Sequence, residues 1–300
     1  MLVFQKNHEP VRTLTGTLDG PAVILADPGE GDQARKLAGL GDSPGFPEAE
    51  ADSIRFESRD TFDYLSVHIP AFQQDEDPQE IECLLSRNFL VVVGEGPVFG
   101  KLRLCLESGS CSPEVPAQVL ASLFNFLLAE ESGLLDRLDD TIEDLEDQAT
   151  SRKPADHSLE ISSIRKDLSA VKRYYEALYD LLSELEDNHN GHLTRNQLQV
   201  IRAQRNKANR MVSRTLSLRE HLTQVREAFQ NQLDISLNET MRFFTVITAV
   251  FLPLTLIAGW YGMNLQMPEL DSALTYPIII GVSLGFLVIS LVFCKKKGWF

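Results

Sequence analysis

Three threonines stand in a stretch that is mostly apolar. Thr245, Thr248 and Thr255 fall within residues 245–262, which carry no charge, together with Pro253 and Gly259. Small and polar groups in such a run favour packing against other helices, or a wet path, over contact with lipid. The run ends at Tyr261-Gly262-Met263-Asn264, followed by Met267-Pro268-Glu269-Leu270 and Asp271. Other side chains with chemistry to offer are scattered. His189-Asn190-Gly191-His192 is either a transition-metal site or, as most such segments are, a turn. Asp75-Glu76-Asp77 either attracts cations or is a solvated loop. No Ser/His/Asp grouping marks a catalytic site, so an enzyme is not expected. No glycine-rich phosphate loop of the G-x-x-x-x-G-K-[ST] or G-x-G-x-x-G type occurs, so nothing points to nucleotide-driven work.

The charge is divided unevenly along the chain. Of 28 Lys/Arg and 43 Asp/Glu, only Arg242, Lys295, Lys296, Lys297, Glu269 and Asp271 lie beyond residue 240, which leaves the first 240 residues at a net −17. An acidic body argues against nucleic acid, which needs a basic footprint, and suits a surface that gathers cations. The four cysteines (83, 105, 111 and 294) match no zinc-ligand spacing. Scattered thiols fit a reducing compartment, where they behave as small apolar residues. The N-terminus shows no apolar signal-peptide core, so the acidic body is expected in the cytosol.

The elements that must position the polar run follow from periodicity. Residues 1–115 read as an α/β domain with β-rich runs at 11–18, 22–26, 62–69 and 89–93, a further strand at 103–106, a short helix at 33–40 and a hairpin-type loop at 73–79. From Pro116, well placed for a first helical turn, the pattern becomes helical. Leu120 to Leu145 recur at three- and four-residue steps, while Asp136, Asp139, Asp140, Glu143, Asp144, Glu146 and Asp147 crowd the other face. A second helix is expected at 156–187, with Gly191 as its stop. Residues 116–193 thus form acidic antiparallel helices. Residues 194–244 form a stalk: no glycine intervenes before Gly259 and no proline before Pro253, so the whole helix would reach roughly 100 Å. Leu218, Leu222, Val225, Phe229 and Leu233 make one buried seam along it.

Two apolar runs close the chain, and each approaches the roughly 20 residues needed to cross a bilayer. The first covers 245–264, the second 276–294, with an outer loop at 265–275 and a basic tail at 295–300. Lys295, Lys296, Lys297 and Arg242 favour the cytosolic side, so the chain is read as multi-pass in the cell membrane with both termini cytoplasmic. The second run is apolar around much of its circumference, as lipid contact requires. Two spans cannot enclose a pore alone, so a self-associating subunit is expected, with the first spans inside.

The Gly262-Met263-Asn264 terminus, with Met267-Pro268-Glu269-Leu270 after it, resembles the signature of the CorA family of magnesium and cobalt transporters, which includes zinc-transporting relatives. The similarity extends through Asn238-Glu239, Phe251-Leu252-Pro253-Leu254-Thr255 and Ile257-Ala258-Gly259. The resemblance implies an α+β cytosolic domain, a long stalk helix and two C-terminal membrane helices in a funnel-shaped homopentamer. It places Asn238, Met241, Phe244, Thr248, Leu252, Thr255 and Gly259 along the pore, with Phe244 and Leu252 departing from the usual aliphatic Leu and Met. It makes Gly262, Met263 and Asn264 the selectivity filter, where Asn264 amides hold a hydrated ion through its water shell. Glu269 and Asp271 are outer-loop acids. The implied activity is passive movement of Mg²⁺, with Co²⁺ or Ni²⁺, and no cofactor beyond the divalent ion, which also regulates through cytosolic acids that no motif locates. Zn²⁺ transport within the family and a non-conducting, membrane-anchored regulatory protein are the alternatives.

Overall fold

The computed structural model describes all residues except 6–17, 19, 41–53, 72–76, 131, 150–156, 264–273 and 298–300. The chain divides into two compact units. One comprises Met1–Asp147 and Asp156–Val225, the other Gln148–Ala155 and Arg226–Phe300.

The first unit is built on a six-stranded sheet. Its strands are β1 (Leu2–Gln5), β2 (Ala22–Ala26), β3 (Arg55–Arg59), β4 (Phe62–Ile69), β5 (Gln79–Leu85) and β6 (Phe89–Gly94), in the order β1-β2-β6-β5-β4-β3. Among the described strands only β2 and β6 pair in parallel. Every residue of β2 is buried, as expected of a central strand covered on both faces. The register lines up Val3, Ile24, Val91, Leu84 and Tyr64 in one row across five strands. Helix α1 (Gly31–Leu37) lays Ala34 on that face. The alternate residues Leu25, Val92, Cys83 and Leu65 form the opposite row, which is also buried.

Two sequence expectations fail here. Residues 103–106 are not a strand but the end of helix α2 (Pro97–Glu107), with Pro97 at its first position. Gly96, at φ +96°, supplies the turn into it, and a Cβ there would meet the Gln79 amide at 2.6 Å. The helical stretch after Pro116 is described as α3 (Pro116–Glu130) and α4 (Ser132–Ala149), on either side of residue 131, which lies outside the described residues. Nor are all four thiols free, because Cys105 and Cys111 are joined in a disulfide. The expected strand at 11–18 lies almost wholly outside the described residues.

Helices α5 (Ser158–Asp187) and α6 (Arg195–Tyr261) follow, and residues 195–225 of α6 belong to this unit. Helix α5 buries Ile161, Ile164, Leu168, Val171 and a run of further residues to Leu185, one stripe at helical spacing. Its stop is Asn188, in the left-handed conformation at φ 48°, three residues before the expected Gly191. The Asn188 amide accepts from Leu193 N–H and donates to the Leu193 carbonyl, both at 3.0 Å. Thr194 and Gln197 begin α6 as a capping pair, with the Gln197 side chain accepting from Thr194 N–H at 2.7 Å. Glu186 of α5 receives Arg202 at 2.6 Å and Arg205 at 2.7 Å from α6.

In the second unit, α6 continues from Arg226 to Tyr261, and α7 runs over Thr275–Lys296. Phe229 is buried, but Leu233, expected in the same seam, is half exposed.

Candidate functional site: an ion path along the first apolar helix

Beyond residue 240, α6 is covered along one stripe alone: Val246, Val250, Pro253, Leu254 and Ile257. Val246 is the most deeply covered, at 6% exposure. Two residues beyond Val246, Val250, Pro253 and Ile257 come Thr248, Leu252, Thr255 and Gly259, all exposed in the single chain. A two-residue step turns an α-helix by about 200°. The covered stripe and the four expected path-facing positions therefore occupy opposite sides of the helix. Met241 and Phe244 share the open side, and Asn238 is exposed as well. Helix α7 repeats the pattern. Ile279, Ser283, Leu287, Ser290 and Cys294 are at least partly covered at steps of four, four, three and four, while its large apolar residues elsewhere are exposed. By length and composition, α6 and α7 are both able to cross a membrane.

The open side of α6 carries acceptor oxygen in a defined state. The hydroxyls of Thr248 and Thr255 donate to the carbonyls of Phe244 and Phe251, each at 2.8 Å. Thr245 does the same to Met241 at 2.7 Å. With its proton committed to the preceding turn, each hydroxyl keeps lone pairs free to accept. Such an oxygen suits the outward-pointing hydrogens of water bound to a cation. Pro253 has no N–H to give the Ala249 carbonyl four residues before it, which interrupts the ladder on the covered side.

The end of α6 is closed by Gly262 N–H donating to the Ala258 carbonyl at 2.9 Å and Met263 N–H to that of Trp260 at 3.4 Å. A Cβ on Gly262 would stand 2.7 Å from the Ala258 oxygen. Here glycine is required for room rather than for a left-handed backbone. Met263 is exposed. Asn264, Glu269 and Asp271 lie outside the described residues.

The acids of α4 divide into two sets. Arg214 donates to Asp136 at 2.6 Å and approaches Asp139 at 3.5 Å, while His221 meets Glu146 at 2.9 Å. These contacts tie α4 to the first-unit part of α6. Asp140, Glu143 and Asp144 face outward. Arg214 and His221 stand seven residues apart on α6, two helical turns, which is the sequence signal for their shared face. Among the described residues no three His, Cys, Asp or Glu side chains gather as a metal-binding group. The 189–192 segment is a turn, in which the Asn190 amide donates to Asp63 at 3.0 Å. Asp75 and Glu76 lie outside the described residues.

The architecture is an α+β unit joined to a very long helix and a C-terminal apolar helix, both of these helices long and apolar enough to cross a membrane. Residues 37–296 match the family described as CorA-like Mg2+ transporter protein, and the chain belongs to that family. It is 25% identical over 246 residues to the Cobalt/magnesium transport protein CorA of Thermotoga maritima, covering 79% of this chain and 70% of that one. The fold is similar to the complete structure of the CorA magnesium transporter from Methanocaldococcus jannaschii, with a TM-score of 0.82 at 17% identity over 100% of this chain and 98% of that one. It is also similar to the ZntB cytoplasmic domain of Vibrio parahaemolyticus, with a TM-score of 0.59 at 14% identity over 78% and 98%.

Proposed function

We propose that the protein is one subunit of a passive divalent-cation channel that moves Mg²⁺, and with it Co²⁺ or Ni²⁺, across the cell membrane. Residues 245–264 form the pore-lining span and 276–294 the lipid-facing one, with residues 194–244 as the stalk and both termini in the cytoplasm. The subunits assemble as a funnel-shaped homopentamer. The observation that carries this reading is the two-sidedness of α6, covered at Val246, Val250, Pro253 and Ile257 and open at Thr248, Leu252, Thr255 and Gly259. A pair of helices with one polar-bearing side uncovered needs further copies to cover it.

Along that side Asn238, Thr248 and Thr255 serve as oxygen stations, and Met241, Phe244 and Leu252 as apolar constrictions that close by dewetting. Mg²⁺ gives up its waters reluctantly, so weak acceptors contacting the hydrated ion suit conduction better than charged ligands. At the outer end Gly262, Met263 and Asn264 form the selectivity filter, with Asn264 amides reading the hydrated ion and Glu269 and Asp271 drawing cations to the mouth. The membrane potential suffices as driving force, because a divalent ion gains about 4.6 kcal/mol per 100 mV. The open acids of α4 bind the permeant ion and hold the gate shut.

Zn²⁺ is the second reading, favoured by the fold likeness to the ZntB cytoplasmic domain. Flux into liposomes holding the full chain, with Mg²⁺ and with Zn²⁺ and with Asn264→Ala alongside, tests both. Mg²⁺ flux abolished by the substitution is expected. Zn²⁺ flux alone overturns the magnesium reading, and no flux of either ion overturns the channel in favour of a non-conducting regulatory protein.

A further inference from the structure

Cys105 and Cys111 face each other across the turn after α2, with Cα atoms 5.4 Å apart, well within the range a disulfide spans. Backbone bonds hold that turn independently of sulfur. Cys111 N–H donates to the Cys105 carbonyl at 3.1 Å, and Ser108 N–H to that of Leu104 at 2.9 Å. The Ser108 hydroxyl adds a bond to the Cys105 carbonyl at 3.1 Å. The two thiols are therefore presented to each other whether the sulfur bond is open or closed. The bridge closes a loop with a sequence separation of only six, where cross-linking contributes least stabilisation.

The other two cysteines are not so placed. Cys83 is buried in the sheet, and that burial pushes its thiol well above the usual range, which disfavours the reactive thiolate. Cys294 is buried on α7. Cys105 is partly exposed and Cys111 is buried, so Cys105 is the more accessible of the pair and Cys111 lies behind it.

We propose that Cys105–Cys111 is a reversible thiol–disulfide modification site, opened and closed by exchange with a low-molecular-weight thiol of the glutathione type. The reversibility rests on the cytoplasmic placement of the first unit proposed above, since a reducing compartment opens such bonds. In the closing direction the Cys105 thiolate attacks a glutathione disulfide, forming a mixed disulfide and releasing one glutathione thiolate. The Cys111 thiolate then attacks the Cys105 sulfur, forming the internal bond and releasing the second glutathione. The protein loses two thiol hydrogens and two electrons, and the small disulfide gains them. The closed bond ties the turn between α2 and α3, and α3 packs on the central strands β2 and β6.

The test equilibrates the full chain in detergent with glutathione buffers of graded thiol-to-disulfide ratio, then alkylates free thiols and maps them by peptide mass. Cys105 and Cys111 are expected to lose and regain alkylation together across the cytosolic range, with Cys83 unchanged throughout. Cys111→Ser is expected to trap glutathione on Cys105, whereas Cys105→Ser leaves Cys111 unmodified. A bond that stays closed in the most reducing buffer, or open in the most oxidising one, overturns the proposal. So does glutathione on Cys105 of the unaltered chain with Cys111 still free. Opening of the bond in intact cells by an impermeant external reductant overturns the cytoplasmic placement instead. No ion flux enters the measurement, so failure of the channel reading gives a separate result.

Discussion

Val246 and Thr248 stand two residues apart on α6 and on opposite sides of it: Val246 is 6% exposed, while Thr248 is open and donates to the Phe244 carbonyl at 2.8 Å. The same two-residue offset relates Val250 to Leu252, Pro253 to Thr255 and Ile257 to Gly259. Cysteine scanning reads this offset directly. Thr248→Cys and Thr255→Cys in liposomes are expected to react with a small charged thiol reagent and to lose most Mg²⁺ flux. Val250→Cys and Ile257→Cys are expected to keep flux under the same treatment. The reverse pattern would place the water on the covered side.

Thr255→Val keeps the shape of the side chain and removes the acceptor oxygen. A hydrogen bond contributes about 1 kcal/mol net, so flux is expected to fall roughly fivefold if that station contacts the water shell at the barrier. Because the hydroxyl also bonds the Phe251 carbonyl, helicity in detergent must be compared. A fall in flux with unchanged helicity isolates the acceptor role.

The two glycines near the end of α6 are expected to differ sharply. A Cβ on Gly259 meets nothing within 4 Å in the chain, while one on Gly262 stands 2.7 Å from the Ala258 oxygen. Gly262→Ala should therefore displace the turn that leads into Asn264 and abolish flux while leaving assembly intact. Gly259→Ala should fold and assemble normally. Assembly is read by size exclusion in detergent, and flux separately.

Much of this was legible in the sequence because apolar content decides the central elements. Strands β2 and β6 are nearly continuous apolar runs, β4 adds Phe62, Leu65, Val67 and Ile69 among polar residues, and the expected positions fall on all three. Strand β3 reads Arg-Phe-Glu-Ser-Arg and was missed, since it lies at the sheet edge, where charge is tolerated and even protective. The stretch 103–106 was misread because an apolar residue at every second position also fits one side of a helix. Pro97 at the first position of α2 was the stronger signal. The two-sidedness of α6 was visible as threonine spacing alone, but which side is covered depends on packing that one helix cannot reveal. The Cys105–Cys111 pair was passed over because a six-residue spacing fits no metal pattern, and only the turn geometry brings the two together.

Glu82 gives the sheet a pH dependence of its own. Burial raises its carboxyl above the ordinary carboxylate range, partly opposed by the hydrogen bond from the Tyr64 hydroxyl at 2.6 Å. A carboxyl whose folded pKa is raised favours folding most when both states are protonated, below its ordinary value of 4.5. That contribution is lost as pH rises through the raised folded value. Thermal unfolding of the full chain in detergent, from about pH 4 to about pH 8, is expected to show Glu82→Gln gaining stability relative to the unaltered protein as pH rises. The amide is uncharged throughout and still accepts from Tyr64. Parallel curves for the two proteins would remove Glu82 as the cause.

The acids of α4 make a gating role testable because they are not equivalent. Asp136 and Asp139 are engaged by Arg214, and Glu146 by His221, whereas Asp140, Glu143 and Asp144 face outward. Breaking an exposed pair such as Arg214–Asp136 costs about 0.2–1 kcal/mol, so Asp136→Asn should loosen α4 slightly and change ion sensitivity little. Among the described residues the outward acids have no such partner, and a hard cation would find its oxygen ligands there. Neutralising all three, as Asp140→Asn, Glu143→Gln and Asp144→Asn together, is expected to leave flux intact but raise the internal Mg²⁺ needed to shut it several-fold. Flux measured against internal Mg²⁺ decides the matter. An unshifted curve for the triple variant would mean that this face only keeps the helix in water, and that ion-sensing acids must be sought elsewhere.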